Sequence, residues 1–226
     1  MVAVSFAGIY TFTLDGTVKV QARFSFILTA HSKSGWIIRV HHSSQLPGFT
    51  PSPRKGARSA HTTPAAESPR VAAADTPLHA GPAARYESTR DSRLRSSEIS
   101  AVMRAYDSWN SDLKTRPAIV ASHYAADAML LPTISANIRT YGEELKEYFV
   151  EFLSKKPQGL ILESHVRLLA ENELGQPIAV TFSGIYRFSF GVGAPDATAR
   201  FTYVFVLRNG EFKIHHHHSS VMPELL

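Results

Sequence analysis

Beyond residue 158 the apolar and polar positions alternate with a period of two, which predicts four long strands over 160–170, 178–190, 197–208 and 211–221. The connections are short and rich in turn residues, and Asn209-Gly210 is the signature of a two-residue hairpin. Upstream the period changes. After Ser97 and Glu98, the residues Ile99, Val102, Met103, Tyr106 and Trp109 recur at three- and four-residue spacing, predicting a helix over 97–113 with one apolar face. Pro117 suits the first turn of a second helix over 118–124, with Ile119, Val120 and His123 inward. A short buried strand follows over 128–132. A third helix, over 141–155, turns Leu145, Phe149, Phe152 and Leu153 inward and Glu143, Glu144, Lys146 and Glu147 outward, and Pro157 and Gly159 stop it. Helices followed by an antiparallel meander describe an α+β fold, a curved sheet wrapped as a cone around about three helices and enclosing one pocket.

The same strand pattern occurs twice. AVSFAGIYTF at 3–12 returns as AVTFSGIYRF at 179–188, ARFSF at 22–26 returns as ARFTY at 199–203, and HHSS at 41–44 returns as HHSS at 217–220. Three blocks in one order at nearly constant offset make residues 1–47 a partial duplicate, a three-strand meander without the helices that precede its counterpart. The duplication also reads the histidine run as native rather than a purification tag, and the apolar start as a strand rather than a signal-peptide core.

Between the copies, residues 48–95 are rich in Pro, Ala, Ser and Arg, with seven of the thirteen prolines falling in 47–82. Such a stretch cannot bury a core and reads as a disordered linker, which leaves residues 96–226 as the complete domain. The 226 residues are 44% hydrophobic and 19% charged, enough for a real core. The net charge of +5 is carried by the copy and the linker (+3 over 1–44, +4 over 45–95), whereas 96–226 is −2. A basic balance placed there argues against a nucleic-acid partner. No apolar run reaches 18 residues, so no membrane span is expected. The absence of Cys excludes disulfides, thiolate zinc sites and Cys nucleophiles, and leaves the compartment unread, with the cytoplasm slightly favoured and an organelle as the alternative.

YFVEFLSKKP at 148–157, SHVRL at 164–168, Tyr186-Arg187-Phe188, TARF at 198–201 and IHHHHSS at 214–220 together resemble the association (hub) domain of calcium/calmodulin-dependent protein kinase II and its stand-alone relatives. These belong to the nuclear-transport-factor-like, SnoaL-like superfamily. The resemblance spans 96–224 and, in the N-terminal copy, the last three strands alone. It implies the cone fold, self-association into dimers or larger rings, and an arginine-lined pocket for a small carboxylate. A kinase of the related family and calmodulin enter as partners on the same ground. The sequence shows no Gly-rich ATP loop, no His-Arg-Asp loop and no Asp-Phe-Gly, so it does not read as a kinase.

Arg187 and Arg200 have the parity opposite to Phe182, Tyr186 and Phe188 and to Phe201, Tyr203 and Phe205. If helices back the arginine face, each guanidinium marks a carboxylate pocket or a buried ion pair; otherwise it is merely exposed. The aromatics would then form an outer face for a partner, and residues 1–44 would pack on it through Phe6, Tyr10, Phe12, Phe24, Phe26 and Trp36. His165 and Arg167 share one face of their strand and could join either arginine. In the histidine run, His216 and His218 share a face opposite His215 and His217, which suits a hydrogen-bonded pocket wall better than a metal site. Tyr106 and Trp109 read as core or pocket lid. These eight, Arg187, Arg200, His165, Arg167, His216, His218, Tyr106 and Trp109, are the candidate ligand-binding residues, with no metal or cofactor expected. The alternative is a cofactor-independent isomerase or cyclase, which needs an isolated carboxylate in the pocket as base, and Glu163 and Asp127 are the candidates for it.

Overall fold

The computed structural model describes residues 3–31, 35–48, 88–140 and 142–222. Strands β1 (Ala3–Leu14), β2 (Val18–His31) and β3 (Gly35–Gln45) form an antiparallel sheet in the order β1-β2-β3. The complete unit contains β4 (Thr89–Arg90), α1 (Ser96–Asp112), α2 (Pro117–Ala121), β5 (Tyr124–Leu131), α3 (Glu143–Ser154), β6 (Gln158–Glu171), β7 (Pro177–Ser189), β8 (Ala197–Arg208) and β9 (Glu211–Val221). Its six-stranded sheet runs β4-β6-β7-β8-β9-β5, antiparallel except where the edge strands β4 and β5 pair parallel to β6 and β9. The meander, the three helices and the N-terminal meander thus stand as the period and the repeat predict. Of the expected linker, residues 49–87 lie outside the described residues. Residues 88–95, counted with it from composition, include β4 and the buried Leu94.

Local chemistry sets the ends. Pro117 opens α2, where its missing N–H costs nothing. Asn209 (φ 52°) and Gly210 (φ 83°) both take positive φ in the two-residue loop between Arg208 and Glu211, the primed turn that matches strand twist. β5 begins four residues earlier than its apolar run suggests, because Tyr124 pairs with Ile214 and the exposed Ala126 and Asp127 lie in an irregularity before Met129. At Gly184 a Cβ would lie 2.0 Å from the Glu163 carbonyl oxygen, where β6 bulges against β7, so no larger residue fits that close approach.

The core sits between the helices and one face of this sheet, and that face is the aromatic one. Phe182, Tyr186, Phe188, Phe201, Tyr203 and Phe205 are all buried. Tyr106 packs edge-on against Phe182 with centroids 5.3 Å apart, Trp109 against Tyr203 at 5.7 Å, and Phe152 against Phe188 at 5.7 Å. The expectation that helices back the arginine face is therefore inverted. The helices carry Ile99, Val102, Trp109, Leu145 and Phe149, and this apolar stripe gains most by covering the aromatics and leaving the arginine side outward.

The N-terminal sheet lies on that outward side, against β8 and β9, as the duplication suggests. It does not pack through its aromatics. Arg23, Ser25, Ile27, Thr29, His42 and Ser44 are buried in the contact, while Phe6, Phe12, Trp36 and Ile38 are exposed by 57, 51, 53 and 56%. Both copies use the same strand parity, so in each the aromatics belong to the helix side, and among the described residues no helix belongs to the N-terminal copy. Among the described residues no helix is long and apolar enough to cross a membrane.

Candidate functional site

Two features of the sheet could carry function: a small cavity on its inner face and a polar interface on its outer face. The cavity lies beneath α3, lined by Trp109, Thr133, Tyr148, Phe149, Tyr186, Phe188, His217 and Ser219 among others. Its volume is about 40 Å³, room for a water molecule or so and far short of a pocket for a metabolite-sized ligand. Tyr186 Oη and Thr133 Oγ1 both reach Ser219 Oγ, and Tyr124 Oη meets His217 Nδ1 at 2.9 Å. Burial holds His217 well below its ordinary pKa and pushes Tyr186 up to about 12, so the lining is neutral. No Asp or Glu is among the described residues that line it.

The outer face is where the strands bring polar side chains together. His42 of β3 and His218 of β9 stack with centroids 3.8 Å apart and an interplanar angle of 11°. His42 Nε2 meets Ser220 Oγ at 2.9 Å and its Nδ1 meets Thr202 Oγ1 at 3.1 Å. His218 Nε2 meets Ser44 Oγ at 3.0 Å and its Nδ1 meets Ser25 Oγ at 2.9 Å. By the repeat, His42 corresponds to His218, Ser44 to Ser220 and Ser25 to Thr202. Each of these histidine contacts made by one copy is thus returned by the equivalent residues of the other. Each neutral imidazole donates one hydrogen bond and accepts one, so both rings are satisfied uncharged. Burial is the main cause that lowers His42 and His216 to about 3 and His218 further still; for His42 the Arg200 guanidinium adds to it.

Arg23 crosses the same interface. Fully buried, it donates from Nη1 to the carbonyl oxygens of Pro132 (2.5 Å) and Ser135 (2.9 Å) and from Nη2 to those of Ser219 (3.2 Å) and the Ser44 hydroxyl (3.5 Å). Desolvation lowers it to about 10, which leaves it protonated at neutral pH. A buried guanidinium held by carbonyls rather than a carboxylate clamps the N-terminal sheet onto the turn after β5.

The candidate residues are spread over three places. Tyr106 and Trp109 are core, with Trp109 on the cavity wall. His216 and His218 face the N-terminal sheet, Ser5 Oγ meeting His216 Nδ1 at 3.1 Å, and Arg200 stands half-buried on that face. Arg187 is exposed, 3.6 Å from Asp196. Arg167 is exposed on β6, and His165 is bonded to Thr89 Oγ1 at 2.7 Å and Glu163 at 2.6 Å. Arg187 pairs with Thr198, two residues from Arg200, so the two arginines are diagonal neighbours on the outer face of β7 and β8, and neither lines the cavity beneath α3. Glu163 is spoken for by His165, and Asp127 lies 3.3 Å from His215 at the sheet edge. Residue reading did not single out Arg23, His42, Ser25 and Ser44 as a site. The signal was present in the duplication of the Arg and His-His-Ser-Ser positions, which marks an interface once the two copies are known to touch.

The profile of the calcium/calmodulin-dependent protein kinase II association domain matches residues 97–223. A solved structure named for that association domain, from Xanthomonas campestris, is 36% identical, with 62% of this chain and 96% of that chain covered and a TM-score of 0.52. An NTF2-like protein of unknown function from Pseudomonas putida is 12% identical (59% of this chain, 99% of that chain, TM-score 0.49), and a cystatin-like-fold protein from Nostoc punctiforme is 15% identical (58%, 96%, TM-score 0.48). No curated protein matches the chain.

Proposed function

Because the chain belongs to the calcium/calmodulin-dependent protein kinase II association-domain family, we propose that residues 96–226 are a self-association unit whose partner face is the outer face of β7, β8 and β9. The observation that carries this is the reciprocal His42–Ser220 and His218–Ser44 pairing. A face that binds a partial copy of itself through equivalent residues is self-complementary, the defining property of a two-fold homo-oligomer contact. Arg187 and Arg200, diagonal neighbours on the outer face, lie outside the enclosed cavity, so small-carboxylate binding draws no support from that cavity, which supplies neither the volume nor, among its described lining residues, the isolated acid that the isomerase reading requires.

The test is the mass of residues 88–226 produced without the N-terminal copy. Sedimentation equilibrium at micromolar concentration should return a dimer or a larger ring. A strict monomer with native far-UV circular dichroism would overturn the reading.

A further inference from the structure

The pseudo-two-fold between the copies is broken along one edge. Arg23 and Arg200 are equivalent by the repeat, yet Arg23 fills a cage of carbonyls while the buried Nε of Arg200 has no partner, and among the described residues neither does the rest of its guanidinium. The reason is topological. Arg23 is received by the 132–135 turn, which follows β5 at the free edge of β9. On the corresponding edge the N-terminal sheet ends at β3, and among the described residues no counterpart of β5 or of that turn lies beside it.

Along that same edge the contact is open. A cleft of about 300 Å³ beside Arg200 is lined by His42, Ser43, Glu163, Gly184 and Thr202, and a second of about 360 Å³ lies between Val40 and Arg167, Leu169 and Thr181. Where the interface is complete, Ser5 of β1 bonds His216 of β9; the equivalent pair is Thr181 of β7 and Val40 of β3, which lines the second cleft. Both openings sit where the two-fold places β5 and its turn in a complete partner.

Resting on the self-association reading, we infer that residues 3–45 occupy the partner face as half of a second copy, and that two chains freed of them pair with each Arg200 seated in the other's 132–135 turn as Arg23 now is. The occupant of the clefts is a second copy of this chain. The N-terminal sheet is its intramolecular competitor: tethered to the same chain, it meets the face at a high effective concentration and holds the chain apart from its like.

The experiment compares Arg23→Met, Arg200→Met and the double variant in the full chain. Sedimentation gives the mass, and limited proteolysis reports whether residues 3–45 are released. Wild type and Arg200→Met should be monomers with 3–45 protected, because Arg200 holds nothing in the closed chain. Arg23→Met should release 3–45 and dimerise, and adding Arg200→Met should weaken that dimer at least tenfold. If Arg23→Met stays closed or fails to fold, a protease site inserted between residues 48 and 88 frees the unit instead, and Arg200→Met is compared in that cut chain. A double variant that dimerises as tightly as Arg23→Met overturns the role of Arg200 while self-association stands. A wild-type chain already dimeric with 3–45 protected and indifferent to Arg200→Met overturns the competitor. If the freed unit is monomeric with and without Arg200, self-association itself fails.

Discussion

His42 and His218 lie ring over ring at 3.8 Å, each bonded to a serine of the opposite copy. Two imidazoles at that distance cannot both be charged, and the groups around them make protonation harder still. Arg23 on β2, Arg200 on β8, His216 on β9 and His41 on β3 all press the pair toward neutrality, and Glu163 of β6 is the acid among the described residues that line the cleft.

The interface should therefore be acid-sensitive. The folded His42 and His216 titrate near 3 and the unfolded ones near 6.5, so the unfolded chain binds more protons between those values. The stability they contribute is complete above about pH 6.5 and is lost as the pH falls toward 3. At pH 5 the cost is on the order of 2 kcal/mol for each such histidine. Urea midpoints and proteolysis of residues 3–45, followed from pH 7.5 to 4.5, should fall together. His42→Asn should flatten part of the slope, and a midpoint that does not change with pH would contradict the burial of neutral histidines.

Phe6 and Phe182 hold equivalent places in the two copies and opposite environments, 57% and 0% exposed. Phe182→Ala should cost about 3–5 kcal/mol, since α1 cannot collapse onto the hole. Phe6→Ala should cost less than about 1 kcal/mol and reduce the binding of a hydrophobic dye to the bare sheet face. Equal losses in urea titrations would show that the N-terminal aromatics are covered.

Gly184 and Gly8 make a second matched pair. Gly184→Ala drives a methyl into the Glu163 carbonyl and should cost on the order of 1–3 kcal/mol or more, whereas Gly8→Ala meets only the ring of Phe24 at 3.0 Å and should be milder. Thermal melts of the two variants compare them directly.

Arg187→Met should leave stability within about 0.5 kcal/mol of wild type, because a half-exposed pair 3.6 Å from Asp196 is weak. A loss of several kcal/mol would mean that Arg187 has a buried partner.

The elements were legible because each rests on local chemistry: periods of two and of three to four, Pro117 at a helix start, and Asn209-Gly210 in a primed turn. The duplication was legible too, along with the parity that separates arginines from aromatics. Parity alone says that two faces differ and not which one the helices take. That choice follows from the summed apolar area of α1 and α3, a property of the packed whole. For the same reason the sequence could show that Arg23 matches Arg200 but not that one is caged while the other has no hydrogen-bond partner among the described residues. A buried guanidinium is set by the carbonyls within its reach, and the turn supplying them to Arg23 lies 109 residues further along the chain, brought there only because β5 pairs with β9. Strand pairing across such separations is decided by the closing of the sheet, after local sequence has done what it can.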